Sequence, residues 1–370
     1  MVGQVLNLDE ILRYAVAREA SDVHIKVGSP PVVRIDGHLE RSDFENATPA
    51  ETERVAFAIM PKNRAEEFLE TGEADFAYSV AGLGRFRVNV HRQRGCVGLV
   101  LRRVQSSIPS FESLGLPPSV RRLAENSRGL VLVTGPTGSG KTTTLAAMID
   151  HINTTMSRHI VTIEDPIEVL HADKKSIVNQ REVGTDTTDF HSALRRVLRQ
   201  DPDVILIGEM RDPETVATAL SAAETGHLVF STLHTISATE SINRIIDFFP
   251  PYEQRQIRMA LAGSLRGIVS QRLVEVRNGG GRVPAVEVLV ATGRVFDKIV
   301  NSDETHEIEE IIADGEYYGM QTFDQSLLSL YQRGVIDLRE ALAASTRPHD
   351  LRLLIEQHTL SQAETAATTS

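Results

Sequence analysis

One stretch leaves the chain little freedom in how it folds: GLVLVTGPTGSGKTTTLAAMIDHIN, residues 129–153. The apolar run from Leu130 to Val133 reads as a buried parallel strand, and the residues after Lys141 follow a helical pattern. Between them stand Gly135, four residues, then Gly140, Lys141 and Thr142, the spacing of a phosphate-binding loop. Glycines there let consecutive backbone N–H groups turn toward one anion, and the start of the helix adds the positive end of its dipole. Lys141 is placed to reach the β- and γ-phosphates of a nucleotide, and the Thr142 hydroxyl to ligate magnesium. Gly135, Pro136, Thr137, Gly138, Ser139, Gly140, Lys141, Thr142 and Thr143 are therefore the expected nucleotide contacts. Such a chain binds ATP or GTP.

The 370 residues are enough for two domains with separate cores. No run of about 18 apolar residues exists, so no membrane span is expected. The beginning, MVGQVLNLDEILRY, lacks a basic start followed by an apolar stretch, so no signal peptide is expected. The single cysteine, Cys96, excludes an internal disulfide and a Cys-based zinc site, and a cytoplasmic protein follows. A net charge of −11, no Trp and 5% aromatic residues argue against a broad nucleic-acid interface.

Before residue 105 the pattern is mixed. A helix is expected over residues 7–19, with Leu8, Ile11, Leu12, Tyr14 and Ala15 on its apolar face. Val23, Ile25 and Val27 then alternate with polar residues, Gly28-Ser29-Pro30-Pro31 turns the chain, and Val33 and Ile35 lead to Asp36-Gly37. Residues 49–70 return to a helical pattern. Further strands are expected near 75–80, 85–91 and 97–104, giving a small α/β domain with an antiparallel sheet over residues 1–105. Residues 106–118, rich in Ser, Pro and Gly, read as a linker. From residue 119 to 360, strands near 130–134, 159–163, 203–207 and 228–232 alternate with helices. That alternation indicates a doubly wound, mostly parallel sheet. Residues 237–276 read as mainly helical, with a short strand at 285–290 and helices beyond. Residues 361–370 read as a disordered tail.

Hydrolysis needs acids on neighbouring strands. The run Val204–Ile207 ends at Gly208-Glu209, and in a parallel sheet its carboxyl end is expected beside the phosphate loop. Glu209 is thus a candidate to order magnesium-bound water or to activate the attacking water. The strand at 159–163 ends in Glu164-Asp165-Pro166-Ile167-Glu168. So many carboxylates on one edge imply magnesium and arginine partners. Glu164 is the candidate for orienting the lytic water, while Asp165 and Glu168 either contribute or cap and position the loop. His227 and His234 flank the strand at 228–232. Without a third ligand they make a poor zinc site, and they are either structural or a γ-phosphate sensor. In RFRVNVHRQRG, Phe86, Val88 and Val90 take one face of a strand and Arg85, Arg87, Asn89 and His91 the other. Arg94 then sits in a hairpin turn. Such a cationic face either meets an anion, where arginines can act as fingers on a transferring phosphoryl group, or is solvated.

The segments GPTGSGKTT, TIEDPIE, NQREVG, LRQDPDVILIGEMRD and AAETGHLVFSTLHT resemble, in order and spacing, the Walker A, Asp box, Walker B and His box of the type II/IV secretion ATPases. SDVHIKVGSPPVVRIDG and RFRVNVHRQRG are similar to that family's PAS-like domain and its arginine-bearing hairpin. The resemblance implies an α/β chain: an N-terminal PAS-like α+β domain, then a RecA-like P-loop ATPase domain with a helical C-terminal part. Within the family the chain most resembles the type IV pilus retraction ATPases, having one cysteine and no long N-terminal extension. It implies a homohexameric, Mg2+-dependent ATPase at the cytoplasmic face of the inner membrane, working on a pilus platform protein, with a paralogous retraction ATPase as a second partner. It also assigns Glu209 and Glu164 as catalytic acids, His227 and His234 to the His box, and Arg85 and Arg94 as arginine fingers. Alternatives are a pilus-assembly or type II secretion ATPase, and a non-hydrolysing ATP-binding regulator of a partner ATPase. Where retraction ATPases usually carry an AIRNLI motif, this chain has GRVFDKIVN.

Overall fold

A computed structural model describes residues 6–357. The chain divides into two compact units, one running to Ser107 and including Ile167–Leu170, the other comprising Ile108–Pro166 and the chain from His171. The expected tail at 361–370 lies outside the described residues.

The first unit is an antiparallel sheet of six strands in the order β3-β2-β1-β6-β5-β4: β1 Asp22–Ile25, β2 Val32–Ile35, β3 His38–Arg41, β4 Glu73–Val80, β5 Gly84–Gln93 and β6 Cys96–Arg103. Helix Leu8–Ala17 buries Leu8, Ile11, Leu12 and Ala15 in this unit's core, as its 3.6-residue spacing dictates. The helical stretch expected over 49–70 is two helices, Pro49–Ile59 and Lys62–Thr71. Pro61 cannot donate the N–H that would continue the first. Thr48 and Glu51 form a reciprocal capping box at its start. Strand β3 was not anticipated; its residues are mostly exposed, so no apolar alternation marks it. Asp22, buried at 5% exposure, is held by Arg102 at 2.8 Å.

Within 106–118 the structure has a short helix, Phe111–Leu114, and Phe111 is buried against the second unit's core. That second unit is built on seven strands in the order β13-β12-β7-β11-β10-β8-β9: β7 Gly129–Thr134, β8 His159–Glu164, β9 Ile177–Glu182, β10 Val204–Ile207, β11 Leu228–Leu233, β12 Leu265–Glu275 and β13 Arg282–Val290. All neighbours are parallel except β12 and β13. Strands β7, β10 and β11 are buried along their whole length. Leu130 and Leu132 face one layer of helices and Val131 and Val133 the other, which is why these strands are continuously apolar rather than alternating.

Two strands of this sheet depart from expectation. Residues 237–276 are not helical throughout: helices Ala238–Asp247 and Pro251–Ser264 give way to β12. The polar Ser270 and Gln271 interrupt its apolar pattern although both are buried. Edge strand β9 has one buried residue in six, so its sequence carries no periodic signal.

Candidate active site

Strand β7 delivers the chain at Thr134 into the glycine loop. Gly135, Gly138 and Gly140 all have positive φ, at 144°, 78° and 90°. At Gly135 a Cβ would lie 2.4 Å from the Gln271 carbonyl oxygen, and at Gly140 2.7 Å from the Gln271 amide nitrogen. Glycine is required at both positions on grounds of conformation and of space. The loop ends on the fifteen-residue helix Lys141–Thr155, whose N-cap is Gly140 and whose first N–H groups receive no side-chain cap. Two helices on the opposite face of the sheet do carry side-chain caps, from Asp212 and Ser237. An uncapped helix start behind a glycine loop leaves backbone donors for an anion. The Ser139 hydroxyl is buried without a hydrogen-bond partner among the described residues. Lys141 Nζ folds back on the loop, donating to the carbonyls of Gly135 at 2.8 Å and Pro136 at 3.1 Å.

Three elements bring acids and a histidine to the same carboxyl edge. Glu209, two residues past β10, is 19% exposed. Its Oε2 accepts from Arg211 Nε at 2.8 Å, and its Oε1 lies 3.3 Å from His234 Nε2. Arg211 also stands 3.8 Å from Asp165, so one guanidinium bridges the ends of β8 and β10. The sequence implied an arginine partner for the crowded carboxylates without identifying which. The placement of β10 beside the phosphate loop is corrected: β11 stands between β7 and β10. That intervening strand ends at Leu233, and the next residue is His234, which is why the histidine meets Glu209.

Glu164 ends β8 and is 9% exposed. Its Oε1 accepts from Thr162 Oγ1 at 2.6 Å and from Gln180 Nε2 at 3.0 Å. The Gln180 Oε1 accepts the His171 backbone N–H at 2.8 Å, which orients the amide. Gln180 lies in the NQREVG segment, but no role follows from its residue type alone.

His227 is a correction. It precedes β11, and its backbone carbonyl accepts the N–H of Gly129, the first residue of β7. In the parallel register Leu228 faces Gly129 and Leu233 faces Thr134, so His227 lies at the amino edge, roughly 20 Å of strand from the loop. Its Nδ1 is 3.0 Å from the Ala222 carbonyl. It does not sit beside the nucleotide edge of its own unit; the strand direction separates it from His234.

In the first unit, Arg85 is half-buried on β5, and its Nη1 reaches Ser79 Oγ at 3.5 Å. Arg94 is exposed at the tip of the β5–β6 hairpin with φ 51°, followed by Gly95 at 79°. Two consecutive positive φ values define the tight hairpin turn whose twist matches its strands.

Among the described residues no group of three or more His, Cys, Asp or Glu side chains is arranged to hold a metal ion. What the edge offers is hard oxygen donors, the Thr142 hydroxyl and the Glu209 carboxylate. Such a set suits a magnesium ion that completes its shell with phosphate and water.

Residues 4–310 match the family described as Type II/IV secretion system protein. The chain belongs to that family. It is 43% identical to the type IV pilus retractation ATPase PilT of Pseudomonas aeruginosa over 93% of this chain and 100% of that protein. To the type IV pilus ATPase PilU of the same organism it is 42% identical, over 97% and 94% of the two chains. The structure is similar to a crystal structure of the pilus retraction motor PilT with bound ADP, with a TM-score of 0.84 and 49% identity over 94% of this chain and 99% of the other. No described helix is long and apolar enough to cross a membrane.

Proposed function

We propose that this chain is an ATP-hydrolysing motor that powers type IV pilus retraction. The observation that carries the reading is the match over the full length of a pilus retraction ATPase, joined to a structure that resembles the ADP-bound motor. The chain is an ATPase that binds ATP and ADP. In this reading Gly135–Thr143 wrap the phosphates, and Lys141 leaves the loop carbonyls to neutralise them. Thr142 and Glu209 are the residues that would hold Mg2+. The ion supplies charge neutralisation to the phosphates when bound.

Glu209 and Glu164 orient and deprotonate the attacking water, whose oxygen bonds to the terminal phosphorus as the bond to ADP breaks. His234, beside Glu209, reports on the terminal phosphate. The position of His227 favours a structural or subunit-contact role over a direct one. Arg85 and Arg94 act as fingers that stabilise charge on the transferring phosphoryl group. We read the first unit as PAS-like and the second as RecA-like. The assembled form is a homohexamer at the inner face of the cytoplasmic membrane, bearing on a pilus platform protein, with a PilU-like paralogue as a second partner.

A deletion strain distinguishes this from an assembly role. Cells lacking the protein should display surface pili that fail to retract and should lose surface motility. Cells without pili would instead establish the assembly alternative.

A further inference from the structure

We infer that Gln271, on β12, is the positioning residue that sets the shape of the phosphate loop and couples it to the C-terminal helices. The inference rests on reading residues 135–143 as the nucleotide loop.

The side chain is 2% exposed and uses both ends of its amide. Nε2 donates to the Ser139 carbonyl at 2.7 Å, and Oε1 accepts from Thr144 Oγ1 at 2.8 Å. Ser139 is the last loop residue before Gly140, and Thr144 lies in the first turn of the helix that follows. One rigid planar group therefore spans the junction where loop becomes helix. The close approach noted at Gly135 and Gly140 means that strand and loop are packed at the limit glycine permits. Buried amides with both ends satisfied specify a single geometry, because any shift leaves a polar group unpaired.

The neighbouring side chains extend the link. Ser270 accepts from Thr134 Oγ1 at 2.9 Å, tying β12 to the last residue of β7. Arg272 donates to the Ala344 carbonyl at 2.6 Å and lies 4.0 Å over the Phe323 ring. Three consecutive residues of one strand thus hold the entry to the loop, the loop itself, and the C-terminal helices Phe323–Gln332 and Leu338–Ala344.

The test measures affinity for a fluorescent ADP analogue, kcat and KM for ATP, and the rise in Tm on adding ADP, in full-length Q271M, T144V, T144S and K141A. Q271M and T144V should each weaken ADP binding about tenfold, the effect of one buried hydrogen bond with an unpaired partner. They should raise KM for ATP by a similar factor, change kcat less than threefold, and shrink the ADP-induced rise in Tm. T144S, which keeps the hydroxyl, should resemble wild type. A Q271M/T144V double variant, measured alongside them, should lose less than the product of the two single losses, since both remove parts of one network. Wild-type affinity in Q271M would overturn the inference. If Q271M does not fold, wild-type affinity in T144V overturns it. A lowered Tm without any change in the ADP response would also do so, since it marks a purely structural amide. K141A separates the two readings. Retained ADP binding in K141A refutes the nucleotide loop, whereas loss in K141A with wild-type binding in Q271M and T144V refutes only the role of Gln271.

Discussion

Glu209 carries a guanidinium on one oxygen and an imidazole beside the other, so its charge is balanced within the site. Removing that charge while keeping the shape is the sharpest residue-level test. Glu209→Gln should retain ATP binding within a few-fold and lose turnover by roughly a hundredfold or more, the scale of a missing general base or charge stabiliser. Single-turnover assays with radiolabelled ATP check this, and hydrolysis at the wild-type rate would refute the assignment. The roles proposed for Lys141, Thr142 and Glu209 are legible in the residues because each chemical type stands at a fixed spacing from a strand or loop. Those of Arg211, Gln180 and Gln271 are not. Their side chains are unremarkable in type, and what matters is which atom each one meets: the Gln180 amide reaches across from β9 to Glu164, and the Gln271 amide crosses from β12 to the loop.

Among the elements, β12 departs furthest from its sequence signature, and its partner β13 holds a misfit charge. Glu287 on β13 pairs in register with Ser270 and is 6% exposed. Its Oε1 accepts the Ala238 N–H at 2.7 Å at the start of helix Ala238–Asp247. Burial pushes its carboxyl up to about 7 from an ordinary 4.5; that N–H and Arg272 oppose the rise, and Glu309 and Asp324 add to it. The folded form thus holds its proton more tightly than the unfolded chain. Between about pH 4.5 and 7 the unfolded chain ionises while the folded protein does not, so stability falls as pH rises through that window and levels off above it. The whole effect is at most about 3 kcal/mol. Glu287→Gln keeps the acceptor for Ala238 and should flatten this slope in urea denaturation followed across pH 5–8. An unchanged slope would show that Glu287 does not titrate between the two states. Polar residues buried on β12 are what concealed that strand: Ser270 and Gln271 break the apolar pattern that marks β7 and β11 so plainly, whereas β13 is legible at 285–290 despite Glu287.

At the scale of the whole molecule, the phosphate loop and the acids belong to one compact unit, and Arg85 and Arg94 to the other. The proposed finger role therefore requires both units. Arg94→Ala should lower kcat of the assembled protein by roughly tenfold or more while altering ADP affinity far less. Equal losses in both would reduce Arg94 to a binding contact. The Asp-box segment crosses the division between units. Glu164 ends a strand of the second unit, while Ile167–Leu170 joins the first, with Val169 bridging to Gln105. A linker at 106–118 is therefore not the sole covalent connection between the two compact units.

The glycine loop, the continuous apolar strands and the acid after β10 are determined by the sequence alone, because each depends on residues adjacent in the chain. A strand buried on both faces must be apolar, and a backbone turned toward phosphate must be glycine. Strand order is a different matter. Only the tertiary structure decided that β11 lies between β7 and β10, bringing His234 to Glu209, and that parallel strands leave His227 at the far edge. Likewise only packing decided that a glutamine 131 positions after Gly140 shapes the loop, counted as 271 less 140 in the chain numbering. Such contacts are set by which surfaces exclude water together, and no local pattern of residues records that.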